Sequence, residues 1–387
     1  MSFTNSIFNQ FLSLIHRSEF NKLEKENFTG RKPRKFSLWS QFVHLMFIQV
    51  TERKSLRAGV RNMNVAKKKI YHLGATPVSR STFSDANNSR PAAFFEALFC
   101  KLFEKTRTFA PKHKLPFDNP LYSLDASTID LNKASFPWAF FRQNKSGIKL
   151  HTLLDHNGYL PAVVNISNAK THDVQKARTF RLEKGAIVVF DRGYNDYDWF
   201  AELDRNEIYF VTRLKTNADY KVISRREAGK TQGVTSDQVV QLKTRPDLPL
   251  RRVGYKDPET NKHYKFLTNN FDLDAKTIAD IYKERWEVEI FFRWIKQNLK
   301  IKTFVGRSEN AVLTQIYVAL IVYLLLALLK FSSKIDLSMQ KMLQILQLNL
   351  FSKASIEALF KPPEQTKKSI ITSNYSCQSN RTLLIHH

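Results

Sequence analysis

Cysteine is nearly absent from this chain of 387 residues: Cys100 and Cys377 are its only two. They cannot build a disulfide framework or a cysteine-rich zinc site, so a reducing cytoplasm is the expected compartment. Acidic residues are also short, with 35 Asp and Glu against 61 Lys and Arg, a formal charge of +26 and a pI near 9.9. Cations at that density repel one another unless a polyanion offsets them, which favours nucleic acid over a membrane surface as partner. The N-terminus lacks the basic segment and small-residue cleavage site of a secretory signal, so none is expected. Long apolar runs are scarce too. Ile316 to Leu329 is the one near-continuous stretch, shorter than the roughly 20 residues a spanning helix needs, and it reads as a buried core helix. What is present is a large stock of core formers, 43% hydrophobic residues including 30 Phe, enough for two or three domains.

Residues 1–110 read as an all-helical domain, with apolar residues at helical spacing over Ile7 to Ile15, Leu38 to Val50 and Ala92 to Phe103. Basic clusters recur there (Arg31 to Lys35, Arg53-Lys54, Lys67 to Lys69), the footprint of a DNA-binding module. Between Ser55 and Arg90 two short helical patterns flank Tyr71 to Gly74, and the second, Ser79 to Asn88, is rich in side chains able to reach phosphates and base edges, as in a helix-turn-helix. After the Pro-containing linker at 111–120 the text changes to strands alternating with helices over 118–310. Strands are expected at Leu121 to Ile129 and Ala186 to Phe190, a hairpin at Ile148 to Asp155 and Leu160 to Ile166, and a helix at Asp173 to Leu182. Trp199 to Arg205 reads as a further helix, Ile208 to Leu214 as a strand and about 216–265 as a β-rich insertion. A helical region follows at 311–361, and 362–387 is a polar tail without a core pattern, expected to be disordered.

One uninterrupted helix is expected from Asp274 to about Lys300, since no Gly or Pro breaks it. At about 100° per residue, Tyr282, Arg285, Glu289, Arg293 and Lys296 share one face, and Ile290, Phe291, Trp294, Ile295 and Leu299 the opposite, buried one. A carboxylate ringed by cations suits a place where metal and phosphodiester meet, although a solvated salt-bridged face gives the same pattern. Two further carboxylates stand at strands. Asp125 lies inside an apolar run, where an acid is costly unless paired or metal-bound, and Asp191 ends Ile187 to Phe190 and enters the tight turn of Gly193. Asp155 and Asp173 read as turn formers, and His172 as a cap or core histidine rather than a zinc ligand.

Asp125, the run Asp191 to Tyr194, and the spacing Tyr282, Arg285, Glu289, Lys296 resemble the catalytic signature of DDE transposases of the insertion-sequence-4 family. The basic helical N-terminus also resembles that of one branch. The resemblance implies a ribonuclease-H-like mixed sheet with a β-rich insertion between the second Asp and the Glu. It implies that Asp125, Asp191 and Glu289 hold two Mg²⁺ ions, with Mn²⁺ able to substitute, for two-metal phosphoryl transfer. Tyr282, Arg285 and Lys296 would hold phosphates at the transposon end, with Arg293 beside them. Lys149 and His151 match a further pattern of that family. The partners implied are double-stranded DNA at terminal inverted repeats and at the target, and a second copy in the DNA complex. The insertion departs from some relatives in having no Trp between Thr216 and Lys265, so Trp286 or a Phe or Tyr would have to stack a flipped base. A metal-dependent nuclease without strand transfer and a non-catalytic DNA-binding protein remain as alternatives.

Overall fold

The structure is a computed structural model and describes residues 5–28, 33, 35–142, 145–169, 172–227 and 233–361. The tail at 362–387 and most of the Arg31 to Lys35 cluster lie outside the described residues. Among the described residues seven helices come first: α1 (Ile7–Ser13), α2 (Arg17–Asn27), α3 (Leu38–Val50), α4 (Leu56–Val65), α5 (Lys67–Tyr71), α6 (Arg80–Ser89) and α7 (Ala92–Arg107). The side chains of Ser6, Ser37, Ser55 and Ser79 each accept a backbone N–H of the first turn of α1, α3, α4 and α6, which fixes where those helices begin.

The sheet follows: β1 (Leu121–Leu131), β2 (Phe140–Arg142), β3 (Lys145–Asp155), β4 (Leu160–Asn168), helix α8 (Asp173–Ala177), β5 (Ile187–Phe190), helix α9 (Tyr197–Arg205) and β6 (Tyr209–Arg213). β1, β3 and β4 form an antiparallel meander, and β5 and β6 then add in parallel beyond β1. This order, β4-β3-β1-β5-β6, is the mixed ribonuclease-H-like sheet expected from the sequence. The insertion supplies β7 (Tyr220–Arg225), β8 (Val234–Leu242), β9 (Arg245–Lys256) and β10 (His263–Thr268). It continues the same sheet, because β10 pairs antiparallel with β6, giving 10 strands in all. The bidentate pair of Arg251 with Asp237, 2.8 and 3.0 Å long and almost wholly buried, locks β9 to β8.

The chain ends with α10 (Ala275–Glu284), α11 (Trp286–Asn298), α12 (Glu309–Ser332), α13 (Met339–Asn349) and α14 (Ile356–Phe360). Several sequence expectations are adjusted by the structure. The single helix over 274–300 is two helices meeting at Arg285, because α10 packs on β5, β6, β9 and β10 while α11 packs on β1 and α12. Each half follows its own surface, and no Gly or Pro is needed to separate them. The apolar helix is longer than Ile316 to Leu329, running to 24 residues, long and apolar enough to cross a membrane by length and composition. Within its most apolar window 94% is buried, against α3, α6, α7, α11, α13 and β4, as in a core helix. The helix read from Asp173 to Leu182 stops at Ala177. On α11, Ile290 is exposed and Trp294 half-buried rather than core.

Candidate active site

Alternation along β1 puts Leu121, Ser123, Asp125 and Ser127 on the face covered by α10 and α11, and Tyr122 and Leu124 on the face covered by α9. β5 repeats the pattern, with Ile187 and Val189 toward α10 and Phe190 away. The parallel register pairs Leu124 with Phe190, so the next residues, Asp125 and Asp191, stand side by side on the α11 face. Asp191 is oriented by its own turn: its Oδ1 accepts the Gly193 N–H at 2.7 Å. A Cβ at Gly193 would come within 2.9 Å of that oxygen, so a side chain there would displace the Asp191 carboxylate from this position.

Arg285, at the break between α10 and α11, brings in the third carboxylate. Its Nη2 donates to Glu289 Oε1 at 2.7 Å, and its Nη1 lies 3.8 Å from Asp125 Oδ2. Burial pushes the Asp125 carboxyl up to about 6, with Asp191 and Glu289 adding to the rise and the Ala126 N–H and Arg285 opposing it. Among the described residues no three His, Cys, Asp or Glu side chains already converge tightly enough to hold a metal ion. The donor chemistry nevertheless fits a hard divalent cation: two carboxylates side by side on adjacent strands, one of them penalised by burial that Arg285, 3.8 Å away, only partly offsets.

The other expected residues divide. Tyr282 packs its ring at a tilt 4.9 Å from that of Phe266 in a cavity of about 410 Å³ that also reaches Arg213, Tyr255, Tyr264, Arg285 and Trp286. Burial raises its phenol pKa. Trp286 is 49% exposed at the mouth of the same cavity. Lys296 instead reaches β1, donating to Ser127 Oγ at 2.7 Å and to the Thr128 carbonyl at 2.9 Å. Arg293 is exposed on α11. Lys149 and His151 do not join the group, because β3 pairs them with Thr128 and Ala126 and so puts them on the opposite sheet face. There Lys149 Nζ meets Asp173 at 2.9 Å, and burial lowers the His151 pKa to about 4. Asp155, read as a turn former, does accept the Asn157 N–H, and it is also fully buried and paired with Arg107 at 3.1 Å. Two features carried no signal in the sequence. Arg213 lines the aromatic cavity, and Ser123 Oγ on β1 lies 2.6 Å from His156 Nε2, whose Nδ1 faces Glu284 at 3.6 Å beside Arg285.

A family model described as a transposase DDE domain matches residues 116–325. A second, described as a domain of unknown function, matches residues 4–76. The y4zB protein of Sinorhizobium fredii, named as a transposase, is 33% identical over 288 residues, 72% of this chain and 80% of that one. A Geobacillus stearothermophilus protein named as the transposase of insertion sequence element IS5377 is 31% identical over 251 residues, 64% of this chain and 66% of its own length. A Synechocystis protein named for element IS4SA is 26% identical over 300 residues, 74% of this chain and 82% of its own. The piggyBac transposase synaptic complex with hairpin DNA, a solved structure, aligns with 93% of this chain and 81% of its own at 12% identity and a TM-score of 0.43. The chain belongs to the DDE transposase family, among the transposases of insertion sequences.

Proposed function

We propose that this DNA transposase belongs to the insertion-sequence-4 branch, binds the terminal inverted repeats of its element as a homodimer in the cytoplasm, cleaves the ends and joins them to target DNA. Transposases of this family use divalent metal ions, and Mg²⁺, with Mn²⁺ as substitute, is the proposed pair of ions held by Asp125, Asp191 and Glu289. The observation that carries this reading is the bridge of Arg285 between Asp125 and Glu289, with Asp191 level on the neighbouring strand. When bound, such ions activate the attacking oxygen and stabilise the leaving one. Asp125, whose carboxyl burial holds up at about 6, would bind such an ion as the carboxylate. Arg285 exchanges Glu289 for a phosphate oxygen of the DNA end, which its planar fork can hold at two points. Tyr282 and Arg213 border the cavity beside it, and the exposed indole of Trp286 offers a stacking surface for an unpaired base. Lys296, fastened to β1, holds α11 against the strand that bears Asp125.

The test is to prepare Asp125→Ala, Asp191→Ala and Glu289→Ala and assay each for gel shift, end cleavage and strand joining. Binding should persist while cleavage and joining vanish. Full cleavage by any one variant removes that residue from the site, and cleavage without joining in the wild type would make the protein a nuclease.

A further inference from the structure

A cleft of about 730 Å³ lies where α4 and α6 meet the loop between α11 and α12. Lys54, Arg57, Arg80 and Arg307 line it, all exposed, and no carboxylate among the described residues does. None of these four cations forms an ion pair with a described residue, whereas Lys112, Lys184 and Lys243 elsewhere are each held by an Asp or Glu. Arg80, Ser84 and Asn88 follow one another at four-residue steps, so a single stripe of α6 faces the cleft.

The walls are fastened together. Asn88 Oδ1 accepts the Ser308 hydroxyl at 2.7 Å, and Asn310 at the start of α12 donates to the carbonyls of Asn87 and Arg90 at 2.8 and 2.7 Å. α6 is thereby set against the loop that leaves α11, the helix carrying Glu289.

We infer that this cleft grips the phosphate backbone of duplex DNA, independently of sequence, outside the carboxylate site. The inference rests on the reading of the chain as a DNA transposase, and two of its cations, Lys54 and Arg57, lie in the region matched by the domain of unknown function. Unpaired guanidinium and ammonium groups on a fixed frame suit phosphate oxygens, and displacement of counterions makes such contacts salt-dependent.

The experiment uses the full chain and a fluorescent duplex of random sequence, with binding followed by anisotropy at several salt concentrations. The triple variant R57A/R80A/R307A is compared with K112A/K184A/K243A, which removes the same charge from sites already paired. In the cleft variant the slope of log affinity against log salt should become shallower by roughly 2.7, about 0.9 for each lost phosphate. Its affinity near 0.1 M salt should fall about tenfold or more. The control slope should stay at the wild-type value. Equal slopes in the two variants would overturn the cleft. Should the triple variant unfold early on heating, the single variants R57A and R307A decide, each expected to lose about 0.9. Loss of slope in a protein that never cleaves DNA would uphold the cleft and sink the catalytic reading, and a wild type that does not bind duplex DNA would sink both.

Discussion

Arg285 is one side chain with two carboxylates to satisfy. It is 13% exposed, and its planar fork allows contact with Glu289 and approach to Asp125 at once. A lysine there keeps the charge but can point at only one partner. Arg285→Lys should therefore reduce end cleavage at least about tenfold while leaving DNA affinity nearly unchanged, as parallel cleavage and gel-shift titrations would measure. Equal cleavage would reduce the face to a solvated charge pattern. Asp125 gives a pH signature. Its carboxyl titrates at about 6 in the fold against 3.8 as a free side chain, so between those values the native state binds the extra proton. In the metal-free protein this group's contribution to stability is thus lost as pH rises through that window, by at most about 3 kcal/mol. Urea unfolding from pH 4 to 7 should show that slope in the wild type and lose it in Asp125→Asn. Added Mg²⁺ should raise the melting temperature more at pH 7 than at pH 5, because the cation and the proton compete for one oxygen.

Among the elements, the decisive one is the junction of α10 and α11. Ser123 on β1, His156 in the hairpin turn after β3 and Glu284 at the last turn of α10 form a line of contacts that ends next to Arg285. His156 lowers the Glu284 carboxyl below its usual range, the largest of several causes. Replacing His156 by Ala leaves the buried Ser123 hydroxyl without this partner, at about 1–3 kcal/mol, and frees the end of α10. His156→Ala should slow cleavage at saturating DNA more than it weakens binding, and His156→Gln should restore part of the rate. A drop in stability without that split would make the contact structural only. The insertion depends on a different link: Arg251 ties β8 and β9 and also donates to the Asn270 carbonyl ahead of α10. Arg251→Met leaves the buried Asp237 carboxylate with the more distant Arg226, 3.9 Å away, and should cost about 3–5 kcal/mol, read as a lower urea midpoint.

At the scale of the molecule, the N-terminal helices share their core with the C-terminal ones. Buried Phe94, Phe95, Phe99 and Leu102 of α7 belong to one cluster with Val312, Ile316 and Leu320 of α12 and with Leu154 and Val164 of the sheet. A fragment cut at residue 110 would leave the α12-facing side of α3 and α7 in water. It should aggregate or stay partly unfolded, whereas the full chain should melt in one transition. Calorimetry and size exclusion of both would show it, and a monomeric, cooperatively folded fragment would contradict the shared core. The shared core also gives the cleft between α6 and the α11–α12 loop its stiffness, since both walls stand on α12.

The sequence alone determined what short-range physics decides. Helical spacing placed α3, α4 and α6, the apolar runs at Leu121 to Ile129 and Ala186 to Phe190 placed the strands beside Asp125 and Asp191, and the charge imbalance of +26 named a polyanion as partner. The fixed spacing of Tyr282, Arg285, Glu289 and Lys296 carried the family. Only the tertiary structure decided the break at Arg285, because the helical text is continuous and each half bends toward the surface that buries its own apolar side. It also decided that Lys149 lies away from Asp125, since parity across the β1–β3 ladder depends on register. Likewise the pairing of β10 with β6, which makes the insertion part of the catalytic sheet, joins residues more than fifty apart in the chain. Backbone hydrogen bonds of that range depend on where both partners end up, and no local pattern encodes it.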